Sequence, residues 1–176
     1  NLEDITLRCL RILKEADIIA AEDTRQTAKL LNHYDIKKPM ISYHEHNKKT
    51  KGEEIINLLL EGNTVALVSD AGMPCISDPG EDLVRLCIER GIEVAAIPGP
   101  SASLTALSIS GLSTSRFVFE GFLPMNKKER KKRLETLKEE QRTMIFYEAP
   151  HKLIQTLKDM YQFFGERKIV LARELT

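Results

Sequence analysis

Short apolar runs alternate along the chain with longer segments in which apolar residues recur every three or four positions. Runs of about four or five apolar residues are typical of strands buried on both faces, and the wider spacing is typical of amphipathic helices. This pattern predicts strands at 18–21, 40–43, 64–69 and 94–97, and helices at 7–16, 24–34, 53–60 and 78–90. The alternation predicts an α/β fold in which helices cover both faces of a mostly parallel sheet.

A polar stretch around Ser113, Thr114 and Ser115 interrupts this pattern. It predicts a boundary between an N-terminal domain at 1–113 and a second α/β domain that begins at 114 and is incomplete at 176. The second domain is predicted to hold strands at 117–119, 144–147 and 169–172, and helices at 127–140 and from 151 onward. It is too short to close a core alone, so we expect it to pack on the first domain or to continue past Thr176.

Charge and composition restrict the possible partners. The chain has 26 basic and 26 acidic side chains, so RNA binding would require a local basic patch rather than attraction by the whole molecule. The segment 127–133, KKERKKR, is either such a patch or an ordinary solvated helix face. The three cysteines lack the paired spacing of a zinc site, and we expect free thiols in a reducing cytosol.

Neither a membrane span nor a signal peptide is predicted, because no apolar run reaches the roughly 20 residues that cross a bilayer. The first residue is Asn1 rather than Met, and a helical pattern begins almost at once. We therefore expect the sequence to be a piece of a longer protein.

Polar or glycine-rich segments follow the predicted strands of the first domain, and ligands of open α/β sheets bind beyond the carboxyl ends of the strands. The segment 69–80 combines a flexible Gly72 with two stiffening prolines and is either a ligand-binding loop or a tight structural turn. It lacks the lysine of a phosphate-binding loop and the glycine spacing of dinucleotide sites. Residues 98–101 form a second rigid turn that leads into a helix of small residues.

Two other polar segments are open to several interpretations. Glu22 and Asp23 could act as a base or as orienting carboxylates, and Asp23 could equally cap the next helix. His44 and His46 alternate on an extended segment, where they could face a substrate, lie in solvent or hold a metal. We predict no metal, because no further His or Cys cluster completes a coordination shell.

Nine short motifs in order along the chain resemble those of the ribosomal RNA small subunit methyltransferase I family, which is similar to the tetrapyrrole methylases. The motifs are NLEDIT at 1–6, AEDTR at 21–25, SYHEHN at 42–47, VSDAGMP at 68–74, ISDPG at 76–80, IPGPSA at 97–102, FEGFLP at 119–124, FYEAPH at 146–151 and ARELT at 172–176. The resemblance covers essentially the whole chain and is specific in combination, although no single motif would suffice.

The resemblance implies a two-domain tetrapyrrole-methylase-like fold that binds S-adenosylmethionine and methylates the ribose 2′-hydroxyl of a cytidine in 16S rRNA. It also implies a homodimer in the cytoplasm whose partner is 16S rRNA or the small ribosomal subunit. By motif, the residues expected to bind the cofactor are Gly72, Met73, Pro74, Ile76, Ser101, Ala102 and Tyr147. The family has a strand ending in a proline-rich turn before the position of Asn1, and its second domain continues past Thr176. Both parts normally help to form the cofactor pocket.

A ribose hydroxyl is a poor nucleophile, so a base or an orienting group should assist the transfer. The candidates are Asp23, Asp70, Glu22 and His44, with Asp23 and Asp70 ranked higher because they follow central strands. Candidates for holding the RNA phosphates are Arg25, Lys127, Lys128, Arg130 and Lys131. Two alternatives stay open, a methyltransferase acting on small tetrapyrroles and a non-catalytic RNA-binding relic. A phosphate-binding hydrolase is disfavoured because the sequence contains no nucleophile elbow.

Overall fold

The computed structural model, which describes all 176 residues, contains five strands and seven helices. They belong to two units, Asn1–Ser101 and Ala102–Thr176. The domain boundary predicted at residue 113 lies inside the second unit, after its first helix, and stays a prediction. No helix is both long enough and apolar enough to cross a membrane.

The first unit is built on a three-stranded parallel sheet in the order β2-β1-β3. Its elements are α1 (Leu7–Glu15), β1 (Ile18–Ala21), α2 (Thr24–His33), β2 (Met40–Ser42), α3 (Lys48–Leu60), β3 (Val65–Val68) and α4 (Glu81–Glu89). A short 3-10 helix, Leu2–Asp4, precedes them. The apolar runs therefore predict these three strands correctly, and the α/β fold with a parallel sheet is confirmed.

The two faces of this sheet carry separate cores because neighbouring residues of a strand point to opposite faces. Ile19 of β1 packs with Leu13 and Leu31, which come from α1 and α2. The next residue, Ala20, packs with Ile55 of α3 and with residues of α4. Ile19, Ala20 and Ile55 are completely buried, so the central strand is covered on both sides.

Helix α4 begins later than the sequence predicts. The pattern places its start at Asp78, but the helix begins at Glu81, and Gly80 precedes it with a φ of 137°. The Asp78 side chain instead interacts with that of Ser69, which favours the charged form of the carboxyl. Gly80 is required here because a Cβ at this position would lie 2.6 Å from Cys75 Sγ and 2.7 Å from Leu67 Cδ2. The loop after β3 therefore packs against the end of that strand, and α4 begins only at Glu81, after this contact.

Two predicted strands, 94–97 and 169–172, do not form. Their apolar side chains are exposed, with Val94 at 47% and Leu171 at 61%. A strand is stable only when its backbone groups pair with a neighbour, and neither segment pairs with another strand in the structure. An apolar run indicates only that a segment tends to be buried. These two runs are not strands, because neither pairs with a neighbouring strand.

The second unit contains a two-stranded parallel sheet formed by β4 (Phe117–Phe122) and β5 (Thr143–Tyr147). Its helices are α5 (Ala102–Ile109), α6 (Lys127–Thr136) and α7 (Leu153–Phe164). Helix α6 buries Leu134, and α7 buries Thr156, whose hydroxyl donates to the Glu148 carboxylate at 2.5 Å. A register shift between Phe119 and Gly121 interrupts the pairing of β4.

Candidate active site

The loops that follow β1 and β3 meet because these strands are parallel and paired up to Ala21 and Val68. The Asp23 backbone N–H donates to the Asp70 carboxylate at 3.1 Å, and the Asp70 N–H donates to the Glu22 carboxylate at 3.4 Å. These reciprocal bonds fix three of the predicted catalytic carboxylates at one edge of the sheet. We call Glu22, Asp70 and Asp78 the carboxylate cluster, because electrostatic repulsion links these three groups.

Asp23 is poorly suited to accept a proton. Its side chain caps α2 by accepting from the Arg25 N–H at 2.8 Å and also pairs with the Arg25 guanidinium at 2.8 Å. Side-chain and backbone hydrogen bonds from Arg25 lower the pKa of Asp23 to about 2. The Asp23 carboxylate is therefore fully occupied, while the guanidinium stays largely in solvent with 88% of its side chain exposed.

Glu22, although it is the preceding residue, is perturbed in the opposite direction. Burial raises the pKa of Glu22, and the negative charges of Asp70 and Asp78 raise it further. The Asp70 N–H and the nearby His44 counteract this effect only in part. Burial also raises the pKa of Asp78, with a contribution from Asp70. At this edge of the sheet, Glu22 therefore binds a proton more readily than Asp23 does.

The turn at 70–80 and the turn at 98–101 are in contact within the first unit. A Cβ built on Gly72 would lie 3.5 Å from the Pro100 carbonyl oxygen, and one built on Gly99 would lie 3.4 Å from Met73 Sδ. Thr6, at the start of α1, donates its hydroxyl proton to the Pro98 carbonyl at 3.3 Å. Close approach of the backbones at Gly72 brings together two of the segments predicted to bind a cofactor.

The turn at 70–80 has an unusual backbone. Gly72 has a φ of 78°, and the non-glycine residues Cys75 and Ser77 also have positive φ values of 70° and 62°. Such conformations cost of order 1–3 kcal/mol for a non-glycine residue and cluster at functional sites. Between them, Ile76 leaves 48% of its surface exposed. The turn therefore leaves the apolar Ile76 side chain accessible to a ligand.

The segment after β2 is held in place by its own polar groups. Asn47 accepts the His44 N–H at 2.8 Å and donates to the Ser42 carbonyl at 3.0 Å. Lys48 pairs with Glu45 at 2.6 Å and with Asp82 of α4 at 2.8 Å, an anchor that the sequence did not predict. No local pattern signals it, since the Lys48–Asp82 pair depends on how α3 and α4 pack.

His44 has a polar atom without a partner in this segment. Its Nδ1 is buried and makes no hydrogen bond, and its ring lies 5.9 Å from the His46 ring, centroid to centroid. The structure contains no group of three or more His, Cys, Asp or Glu side chains placed to hold a metal ion. His44 lies within electrostatic range of Glu22, whose pKa it lowers.

Two of the residues predicted to bind a cofactor belong to the second unit. Ala102 is the first residue of α5, and Ser101 precedes it at the end of the first unit. Tyr147 ends β5 and packs edge-on against Phe119 and Phe122 at centroid distances of 5.2 and 5.5 Å. Both aromatic partners are partly exposed, at 36% and 58%.

The basic side chains of α6 separate into two groups. Arg130 pairs with Asp159 at 2.9 Å and Arg133 pairs with Glu120 at 2.6 Å, so both guanidiniums are engaged within the unit. The four lysines of the helix are exposed and form none of the salt bridges of the structure. They are Lys127, Lys128, Lys131 and Lys132. Lys132 is not among the substrate-binding residues predicted from the sequence. Arg130 is among them, but it is already paired with Asp159.

Comparison with known protein families gives a match over the whole chain. The family model described as Tetrapyrrole (Corrin/Porphyrin) Methylases matches residues 1–176. A relative from Halalkalibacterium halodurans, named Ribosomal RNA small subunit methyltransferase I, is 58% identical over 176 residues, which are all of this chain and 61% of that protein. A relative of the same name from Thermotoga maritima is 53% identical over 176 residues, all of this chain and 79% of that protein. The chain thus spans less than two thirds of the H. halodurans protein.

Solved structures share the fold at much lower sequence identity. The methyltransferase CobJ aligns with a TM-score of 0.65 and 18% identity over 91% of this chain and 70% of its own. A uroporphyrin-III C-methyltransferase from Thermus thermophilus, solved in complex with S-adenosyl homocysteine, aligns with a TM-score of 0.59 and 17% identity. That alignment covers 94% of this chain and 72% of the other. At these identities the likeness concerns the fold.

Proposed function

Because the chain belongs to the tetrapyrrole (corrin/porphyrin) methylase family, we propose that it transfers a methyl group from S-adenosylmethionine to the 2′-hydroxyl of a cytidine in 16S rRNA. The observation that carries this proposal is identity above 50% over the whole chain to relatives named Ribosomal RNA small subunit methyltransferase I. The contact between the turns at 70–80 and 98–101 supports it independently, because it brings together two segments proposed to bind the cofactor.

Two features of the first unit support binding of the proposed cofactor there, the contact between its turns and the negative charge of its carboxylate cluster. Ile76 exposes apolar surface in the turn that also holds Gly72, Met73 and Pro74, and this turn contacts the one that ends at Ser101. The carboxylate cluster at the same edge of the sheet favours a positively charged ligand, and the sulfonium of S-adenosylmethionine is a cation. Ala102 and Tyr147 stay predictions from the motifs.

Bound S-adenosylmethionine would supply an electrophilic methyl group, so the protein has to align the ribose oxygen and accept its proton. Methylation of the ribose oxygen would release the proton of the hydroxyl group, and a base at this edge of the sheet would accept it. We assign this role to Glu22, because burial and its acidic neighbours raise the pKa of Glu22, whereas Arg25 lowers the pKa of Asp23 to about 2. Asp70 and His44 act through Glu22 by raising and lowering its pKa, respectively.

Several properties of the whole protein follow from the same proposal. We propose a homodimer that acts in the cytoplasm on 16S rRNA or on the assembled small subunit, as the motif resemblance implies. Sedimentation of the full-length protein tests the dimer, because the dimer has twice the mass of the protomer.

The decisive experiment incubates the full-length protein with small ribosomal subunits and methyl-labelled S-adenosylmethionine and then maps the label. We expect a single ribose-methylated cytidine in 16S rRNA. Transfer of label to uroporphyrinogen or a precorrin instead of RNA would support the tetrapyrrole alternative. RNA binding without cofactor binding in calorimetry would identify a relic and overturn the proposal.

A further inference from the structure

We propose that the four exposed lysines of α6, which we call the lysine face, bind the sugar-phosphate backbone of the RNA substrate. Arg130 and Arg133 take no part in this contact and instead hold the helix in place. This inference rests on the proposed function for the identity of its partner. The lysine face consists of Lys127, Lys128, Lys131 and Lys132.

The helix geometry places these lysines side by side. Lys127 and Lys131 are four residues apart, as are Lys128 and Lys132, and residues at this spacing project from the same side of an α-helix. All four side chains are exposed. Four positive charges therefore form two adjacent rows on the solvent side of α6.

The two arginines are neutralised by acidic groups of the second unit. The side chains of Arg130 and Asp159 are only 15% and 13% exposed, and they join α6 to α7. The Glu120 carboxylate of β4 is 3% exposed and accepts from Arg133 through both Nε and Nη2. Both arginines of α6 thus have acidic partners within the unit, whereas the lysines form no salt bridge.

Repulsion within the lysine face is unfavourable for the isolated protein, because like charges four residues apart on a helix repel each other. Glu129, three residues before Lys132, and Glu135, four residues after Lys131, offset only part of it, since two negative charges face four positive ones. The two acidic residues of α6, Glu129 and Glu135, are both exposed, and neither forms a salt bridge with a lysine. A partner that brings phosphates would remove this repulsion.

A phosphate backbone suits this surface better than an acidic protein does. Lysine is a flexible point charge that does not require the planar, bidentate geometry that an arginine–carboxylate pair exploits. RNA presents closely and regularly spaced phosphates, and its binding releases condensed counterions. Because the formal charge of the chain is zero, this attraction has to come from a local surface rather than from the molecule as a whole.

The test replaces all four lysines of the lysine face by Gln in the full-length protein and measures binding to small subunits between about 50 and 200 mM salt. Gln has nearly the helix propensity of Lys, so α6 should be retained. Each lost phosphate contact reduces the slope of log affinity against log salt by about 0.7–0.9, so a loss of about 3 is expected. Over this salt range the unmodified protein should lose about 60-fold more affinity than the variant.

A matched control removes four exposed lysines from elsewhere, namely Lys14, Lys37, Lys158 and Lys168. It has the same net charge as the first variant and should keep the original salt slope. An equal loss of slope in both variants, or no loss in the first, overturns the proposal. The proposal is also overturned if the variant that lacks the lysine face keeps full affinity for RNA but loses binding to a polyglutamate peptide. Cofactor binding, measured in parallel by calorimetry, shows separately whether the methyltransferase assignment holds.

Discussion

Glu22 and Asp23 show how two adjacent carboxylates acquire different chemistry. Asp23 points to Arg25 and the start of α2, where donors stabilise its charge and lower its pKa to about 2. Glu22 is partly buried beside two other carboxylates, and its pKa is raised. A base must hold a proton at some stage of the reaction, and a strongly acidic carboxyl does so poorly.

Replacing Glu22 by Gln tests this assignment. Removal of a general base typically costs about 10²- to 10⁴-fold in rate, so we expect such a fall in single-turnover methylation with little change in cofactor affinity. In the unmodified protein the rate should fall as the pH drops through the raised pKa of Glu22, and this acid limb should be absent from E22Q. Asp23→Asn is the matched control, since Asn also caps helices. If D23N loses as much activity as E22Q, Glu22 is not the base.

The same substitution should stabilise the fold at neutral pH. A carboxyl whose pKa is higher in the folded than in the unfolded state destabilises the fold above that pKa, and the effect disappears as the pH falls through it. Glu22 follows this rule because burial and its acidic neighbours oppose its charge. We expect E22Q to raise the midpoint of thermal unfolding at neutral pH and the difference to vanish in acid. An unchanged or lower midpoint at neutral pH would contradict the electrostatic description of the cluster.

Gly72 lies where the two turns approach each other, and its positive φ favours glycine. A Cβ at this position would meet the Pro100 carbonyl at 3.5 Å in a backbone whose φ of 78° disfavours other residues. Gly72→Ala should therefore weaken S-adenosylmethionine binding by about tenfold or more, equivalent to about 1.4 kcal/mol. Gly62 is the control, because it has a φ of 93° and a Cβ added there would meet nothing within 4 Å. Calorimetry should show weaker binding for G72A alone; equal losses in both variants would mean that strain anywhere in the fold weakens binding, and that the turn at 70–80 has no special role in holding the cofactor.

At the scale of elements, the attachment of α6 depends on the Arg130–Asp159 pair. Both side chains are mostly buried, and removal of one partner leaves a charge that water reaches poorly. Asp159→Asn should lower the free energy of unfolding by about 1–3 kcal/mol. The Arg11–Glu15 pair has side chains that are 58% and 55% exposed, so Glu15→Gln should cost less than about 0.5 kcal/mol. Denaturant titration of the two variants measures the difference, and equal effects would argue against a buried anchor.

Elements were easier to predict from the sequence than the contacts between them. The runs at 18–21 and 64–69 became paired strands because each has a neighbour, whereas the equally apolar run at 94–97 lacks one and stays outside the sheet. The meeting of Glu22 and Asp70 could be anticipated, since parallel strands end at the same edge. The ion pair between Arg130 and Asp159 could not be anticipated, because the direction in which a helix faces depends on tertiary packing rather than on local composition.

For the molecule as a whole, cofactor binding and stability are linked. A ligand that binds only the folded state adds about 2.7 kcal/mol to the free energy of unfolding at a concentration of about 100 times its dissociation constant. S-adenosylmethionine and S-adenosylhomocysteine share the groups that the turns at 70–80 and 98–101 are proposed to contact. The shift that each ligand causes in the unfolding midpoint of the full-length protein is therefore a readout of its affinity at any chosen pH.

The two ligands should differ in one respect that reports on the carboxylate cluster. S-adenosylmethionine carries a sulfonium charge and its product does not, so the charged ligand should gain affinity as Glu22 and Asp78 ionise with rising pH. Their affinity ratio should consequently increase with pH in the unmodified protein and increase less in E22Q. A pH-independent ratio, measured by calorimetry and by the midpoint shifts, would place the sulfonium away from the cluster. The assignment of Glu22 as the base would then lose its geometric basis, even if the cofactor binds.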